Sequence, residues 1–202
     1  MKVIEQLLTN AGISPIAGVD EAGRGACAGP LVIASVVLSD PFAAELAVVR
    51  DSKEIPESKR DAVFDLIHQV AASVSVVIVP AAEVDARGVH AANLDGMRRA
   101  VQGLTVEPAY VLTDGYAIEG LGVPNLAVWK GDQVVVSISA ASVIAKVTRD
   151  RIMRELDGQF PQYGFAAHKG YITAAHTKAL NEHGPCVEHR TSFANVAALI
   201  HK

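Results

Sequence analysis

The sequence predicts an α/β fold: a mixed five-stranded sheet flanked by helices, with a helical C-terminal portion. Three observations carry this reading. Short β-branched apolar runs alternate with stretches of helical periodicity, a glycine-rich loop joins the first two runs, and the chain beyond residue 137 is dominated by helical patterns.

Residues 16–20 and 31–38 read as strands, the second an unbroken apolar run of the kind buried on both faces. The link between them, EAGRGACAGP, is dense in glycine and ends in proline. An antiparallel hairpin with an elaborate turn is therefore expected. Residues 56–72 set Val63, Phe64, Ile67 and Val70 on one helical side, residues 73–79 form a third strand stopped by Pro80, and residues 91–103 another helix. Short strands at 110–113 and 126–129 are each followed by an aspartate near a glycine, Asp114-Gly115 and Gly131-Asp132. Residues 137–156, SISAASVIAKVTRDRIMREL, make the strongest helix, alanine-rich and without a breaker. A loop at 160–170 precedes helices near 172–181 and 193–200. The expected order is β-β-α-β-α-β-α-β-α followed by helices. Residues 1–158 would form the core and 159–202 a helical portion packed on it, one structural domain in all.

With 202 residues, half of them hydrophobic, the chain can bury roughly 70% of its extended surface and needs neither disulfides nor a structural metal. The composition excludes disorder, a collagenous repeat and a disulfide scaffold. Cys27 and Cys186 fit a reducing compartment. The opening MKVIEQLLTNAG interrupts its apolar run with Glu5 and Gln6, unlike a secretory signal, and no window offers the roughly 18 apolar residues of a membrane helix. A cytoplasmic protein is expected. The net charge of −4 does not advertise a polyanion binder. Its distribution is uneven: residues 1–140 hold 10 basic and 17 acidic side chains, residues 141–202 hold 8 and 5. That asymmetry could face metal ions and phosphates of one substrate, or reflect compositional drift.

The glycine-rich loop is no nucleotide cradle. No Gly-Lys-Ser/Thr occurs, and Gly23-x-Gly25 is followed by Gly29, one residue late, before a strand rather than a helix. Three glycines in seven residues allow backbone amides to approach a ligand, or simply make a tight turn. Asp20 and Glu21 stand just before them at the end of a strand, Asp114 ends the fourth strand and Asp132 follows the fifth. Four carboxylates gathered at one sheet rim would repel one another without a cation, and an all-oxygen set suits Mg²⁺ or Mn²⁺. Each aspartate alone would pass for a solvated turn residue. His183-x-x-Cys186-x-x-His189 with His176 lacks the paired clusters of a structural zinc site, and surface or capping roles are expected for these histidines. There is no GxSxG, and Ser142 with Lys146 is one residue off the SxxK spacing. Lys146 and Arg149, or Arg151 and Arg154, share a helix face that is either solvated or touches phosphate, with Ser139 and Ser142 as further donors.

Together these residues identify a family. Gly18-Val-Asp-Glu-Ala-Gly-Arg-Gly25 with Ala28-Gly-Pro30 resembles the opening signature of bacterial ribonuclease HII, the type 2 ribonucleases H. The likeness continues in order through Asp51-Ser-Lys53, Asp114-Gly115, Lys130-Gly-Asp132, residues 139–150, His168-Lys-Gly-Tyr171 with Thr173, and His189-Arg-x-Ser-Phe193. The resemblance implies a ribonuclease H-like fold and a two-metal endonuclease that cuts RNA in RNA–DNA hybrids and incises 5′ of ribonucleotides embedded in DNA. It implies Asp20, Glu21, Asp114 and Asp132 as catalytic metal ligands, with Asp20 bridging two Mg²⁺ or Mn²⁺ ions. Gly23, Arg24 and Gly25 would sense the ribose 2′-OH, and Tyr171 would pack on the sugar after the junction. Lys146, with Lys53 and Lys169, would meet phosphate. The partner is hybrid or ribonucleotide-containing duplex, acted on by a monomer. Two positions depart from the family pattern: Ala26 stands where proline is common, and Gly96 where alanine is expected in a helix. A junction resolvase blind to the 2′-OH and a hybrid-binding module without chemistry are the competing readings.

Overall fold

The run LVIASVVL combines β-branched residues with no helix stop or turn signal and forms β2 (Leu31–Leu38), buried along its whole length. It pairs antiparallel with β1 (Ile16–Ala22), from Ala17↔Val37 to Ala22↔Val32, and on its other side with β3 (Ala71–Val79). β4 (Tyr110–Asp114) runs parallel to β1, and β5 (Asn125–Val128) parallel to β4. The sheet order is β3-β2-β1-β4-β5, mixed and five-stranded as expected. Its consequence is functional: the C-terminal ends of β1, β4 and β5 share one rim. This computed structural model describes residues 3–200; Lys2, His201 and Lys202, counted in the charge and histidine balance above, lie outside the described residues.

Side-chain alternation splits β2 between two cores. Val32, Ala34, Val36 and Leu38 pack with α2 (Glu57–Val70) and α6 (Val136–Gln159), while Leu31, Ile33 and Val37 meet α4 (Val89–Gln102). Gly96 belongs to this second contact. A Cβ there would stand 2.5 Å from Ile33 Cδ1, so the departure from alanine lets α4 lie close on the sheet.

α6 lacks a side-chain cap of its own at Val135. The cap comes from α1 (Val3–Asn10), whose Glu5 accepts the N–H groups of Val136 and Ser137, each at 3.0 Å. Glu5 is 1% exposed, and its charge faces the positive end of the helix dipole.

Several expectations need correction. There is no helix between β4 and β5; residues 115–124 are rich in glycine, and Asn125 holds them by bonding both the N–H and the C=O of Ile118 at 2.9 Å. β1 extends to Ala22, so Asp20 and Glu21 lie within the strand rather than ending it. α1 and α3 (Ala81–Arg87) were not foreseen. The loop at 160–170 contains the one-turn α7 (Phe165–His168), and the next helix, α8 (Ala174–His183), starts later than expected because Thr173 caps it through His176 N–H. α9 (Ala194–Ile200) closes the described chain.

Candidate active site

The parallel pairing of β1 with β4 sets Val19 beside Thr113, which brings the next residues, Asp20 and Asp114, together at the rim. Asp132 arrives on α5 (Gly131–Val134), the short turn after β5. Asp20, Asp114 and Asp132 each offer an oxygen within 4.8 Å of the others. Glu21 is outside this triad because successive strand side chains point to opposite faces, yet it lines the same cleft of about 420 Å³. That cleft is also lined by Gly23, Arg24, Gly25, Lys53, Lys146 and Tyr171, so the four carboxylates, the glycine loop and the tyrosine converge.

The electrostatics are those of a site built for cations. Burial, then repulsion from Glu21 and Asp114, raises the Asp20 carboxyl well above its ordinary range. Burial pushes Glu21 up to about 7, with Arg24 pulling against it and Asp114 adding to it. Asp132 rises to about 6 through burial and the crowding carboxylates of Asp51 and Asp114. Asp114 is oriented by Gly131 N–H at 2.7 Å, and Asp20 by Glu21 N–H at 2.7 Å. Glu21 Oε2 is buried without a hydrogen bond of good geometry, although the Asn93 amide beside it lowers its pKa. Close, mutually repelling carboxylates with an unsatisfied buried oxygen nearby fit a hard divalent cation.

The glycine loop is clamped from behind. Arg149, fully buried, donates to the carbonyls of Pro30 at 2.9 Å, Lys169 at 2.8 Å and Ala28 at 3.0 Å. Gly23 has φ +87°, and a Cβ there would meet Arg149 Nε at 1.9 Å. Arg190 bonds Gly29 O at 2.9 and 3.1 Å and Arg24 O at 3.2 Å. Ala26 N–H closes a turn onto Gly23 O at 3.2 Å, a bond that proline could not make. Arg149 also lies 5.4 Å from the centroid of the Tyr171 ring, joining loop and tyrosine through one side chain. The phosphate role considered for Arg149 is therefore wrong: its donors are spent on carbonyls.

The other basic and polar candidates sort themselves. Lys146 faces the cleft while pairing with Asp150 at 2.6 Å. Lys53, 80% exposed, stands 3.9 Å from Asp132; burial works against its charge, but Asp51, Asp132 and the neighbouring aspartates raise its pKa. Lys169 turns to Ala166 O and Glu57 and is not part of the cleft lining. Ser139 is buried and donates to Asp132 O at 2.7 Å, holding the α5 turn rather than a phosphate, and Ser142 bonds Ser52 at 3.0 Å. Arg151 and Arg154 pair on the surface with Asp61 and Glu57.

His183 is exposed at the end of α8, as expected, but His176 and His189 do not match the surface or capping roles expected of them. His176 and His189 are buried and bonded Nε2 to Nε2 at 3.0 Å, with His168 stacked on His176 at 4.2 Å. His189 Nδ1 accepts Cys186 N–H at 3.0 Å, and His176 Nδ1 lies 3.0 Å from Tyr171 O. This network ties Tyr171 to the C-terminal helices. Sequence reading missed Asp51, Glu5 and the two buried arginines. The available signals lay in the family pattern, which contains Asp51 in Asp51-Ser-Lys53, Arg149 within residues 139–150 and Arg190 in His189-Arg-x-Ser-Phe193.

The family model of ribonuclease HII matches residues 17–196. A ribonuclease HII from Mycolicibacterium smegmatis is 56% identical over 196 residues, 97% of this chain and 72% of its own length. One from Parafrankia is 57% identical over 195 residues, 96% of this chain and 81% of its own. The crystal structure of the ribonuclease H2 from Pyrococcus horikoshii superposes with a TM-score of 0.80 at 25% identity, covering 92% of this chain and 97% of that one. The sheet order, the acidic rim and these matches lead to one assignment: the chain belongs to the ribonuclease HII family.

Proposed function

We propose that this chain is a divalent-metal-dependent endonuclease that cuts the RNA strand of RNA–DNA hybrids and incises 5′ of ribonucleotides embedded in duplex DNA. The single observation that carries the reading is the convergence of Asp20, Asp114 and Asp132 with the Gly23–Gly25 loop and Tyr171 in one cleft. Asp20, Asp114 and Asp132, with Glu21 on the flank, would hold Mg²⁺ or Mn²⁺. Bound there, such ions activate a water and stabilise the leaving oxygen of a phosphodiester.

The chain's own residues do the rest. The loop at Gly23–Gly25 brings backbone groups near enough to sense a 2′-OH, the one group separating ribose from deoxyribose. Arg149 and Arg190 keep that loop in place from behind. Tyr171, 38% exposed, offers a flat apolar face to the next sugar, which favours one without a hydroxyl. Lys53 and Lys146 face phosphates and read no sequence. The new bond is water oxygen to phosphorus and the broken bond is phosphorus to ribose 3′-oxygen, so the ends are 5′-phosphate and 3′-hydroxyl. The biological role that follows is removal of ribonucleotides from DNA and degradation of RNA primers by a cytoplasmic monomer.

The test is cleavage mapping with Mg²⁺ and with Mn²⁺ on three duplexes: one embedded ribonucleotide, a long hybrid, and DNA alone. Incision 5′ of the ribonucleotide, cutting of the hybrid and an intact DNA control are expected. Equal cutting of all-DNA duplex contradicts the ribose-sensing role, and undiminished cutting by Asp20→Asn contradicts the metal assignment.

A further inference from the structure

Trp129 is the chain's one tryptophan, and 82% of its surface is open to solvent. Tryptophan is highly buried on average, and this one is not on a remote loop. It follows Val128, the β5 residue that pairs with Asp114, and precedes Lys130 and Gly131, whose N–H holds the Asp114 carboxylate. Asp132 is three residues further, so the two Cα atoms are at most about 11 Å apart by chain length alone. Lys130 is exposed and left-handed at φ 53°, the bend that turns the chain from β5 into the Asp132 helix. Lys53 flanks Asp132 as well, at 3.9 Å. A flat aromatic face with cationic neighbours thus borders the carboxylate rim of a protein whose net charge is −4.

We propose that Trp129 and Lys130 form a nucleic-acid contact, with the indole against a sugar or base face and the ammonium against a phosphate. The inference rests on the nuclease reading above and extends it to residues outside the proposed catalytic and ribose-sensing set. A strand whose scissile phosphate sits at Asp20, Asp114 and Asp132 advances about 3.4 Å per nucleotide. Trp129 thus lies within a reach of about three nucleotides from the cut. An indole suits this place because aromatic contact tolerates any base, and a nuclease that reads ribose needs no sequence preference. The occupant is nucleic acid rather than a second copy of the chain because exposed Lys130 follows the indole in sequence and Lys53 stands at the same rim beside Asp132, and lysine is depleted at protein–protein interfaces.

The sole tryptophan reports on its own surroundings. The experiment titrates Asp20→Asn protein, which keeps the duplex uncut, into a fluorescein-labelled ribonucleotide-containing duplex, and reads polarisation and indole emission per protein together. The expected result is quenching of the indole in step with the rise in polarisation. In the same background Trp129→Ala should weaken the duplex about fivefold or more while Trp129→Phe stays within about twofold. Both variants should melt with the parent, since the side chain packs little. Binding by polarisation with silent indole emission and an unweakened Trp129→Ala overturns the inference and leaves the nuclease reading standing. Emission that follows protein concentration and ignores the duplex also overturns it, assigning this face to a second copy. Absence of any duplex binding overturns the nuclease reading and the inference with it.

Discussion

At the scale of single residues, the site is a balance of repulsion and constraint. Asp20, Asp114 and Asp132 are held close by β1, β4 and the α5 turn, and burial raises the carboxyls of Asp20 and Asp132. Asp114→Asn and Asp132→Asn should each lower cleavage by orders of magnitude, since on the reading proposed above each removes a metal ligand. Without metal, both should melt a few degrees higher than the parent, because like-charge repulsion is relieved. Differential scanning calorimetry in chelator checks this; a lower metal-free melting temperature in both variants contradicts the mutual strain.

The residues proposed to carry the chemistry were the legible part of the site. Acidic side chains near strand ends and a glycine loop betray themselves by type and position. Arg149 did not, because a basic residue in an amphipathic helix reads as surface until the loop it clamps is folded against it. Outside the family pattern Asp51 was equally silent, since nothing in its spacing says that it will crowd Asp132.

At the scale of elements, helix ends and close approaches decide how the helices sit on the sheet. Glu5 caps α6 from 131 residues away, and no local pattern announces a cap of that range. Glu5→Ala leaves two buried N–H groups without their charged acceptor and should cost about 2–3 kcal/mol in urea unfolding, with Glu5→Gln costing less. Unchanged stability in Glu5→Ala would show that the cap is idle. Gly96 teaches the complementary lesson: helix propensity favours alanine, but packing on Ile33 requires the smaller residue. Gly96→Ala should therefore destabilise by about 1–3 kcal/mol through overpacking, despite its better helix propensity. A more stable Gly96→Ala would contradict the close packing of α4. The strands and α6 were readable because their apolar patterns are long. The helix expected between β4 and β5 failed because Asn125 and the glycines of residues 115–124 hold a turn where periodicity says nothing.

At the scale of the whole molecule, the sheet and the α5 turn supply the carboxylates, the segments flanking α8 supply Tyr171 and Arg190, and buried polar groups join the two. The His176–His189 pair, bordered by His168, Cys186 and Tyr163, is the part of this junction that senses pH. Burial, then His176, lowers His189 to about 4, from an ordinary value of 6.5. An unfolded chain thus binds a proton at this site that the folded chain refuses between those values. The stability involved is complete above pH 6.5 and is lost as pH falls toward 4, by on the order of 3 kcal/mol. Urea unfolding across this range should show the parent losing its margin over His189→Gln as pH falls. A constant difference between the two contradicts the assignment. No helix among the described residues is long and apolar enough to cross a membrane.

The central claim, that three aspartates from separate elements gather divalent ions beside a ribose-sensing loop, is most directly tested by anomalous diffraction from crystals soaked in Mn²⁺. Peaks lying between the carboxylates of Asp20, Asp114 and Asp132, and lost in Asp20→Asn crystals, are what the account predicts. Well-ordered crystals with Mn²⁺ bound elsewhere, and none at these side chains, would contradict it.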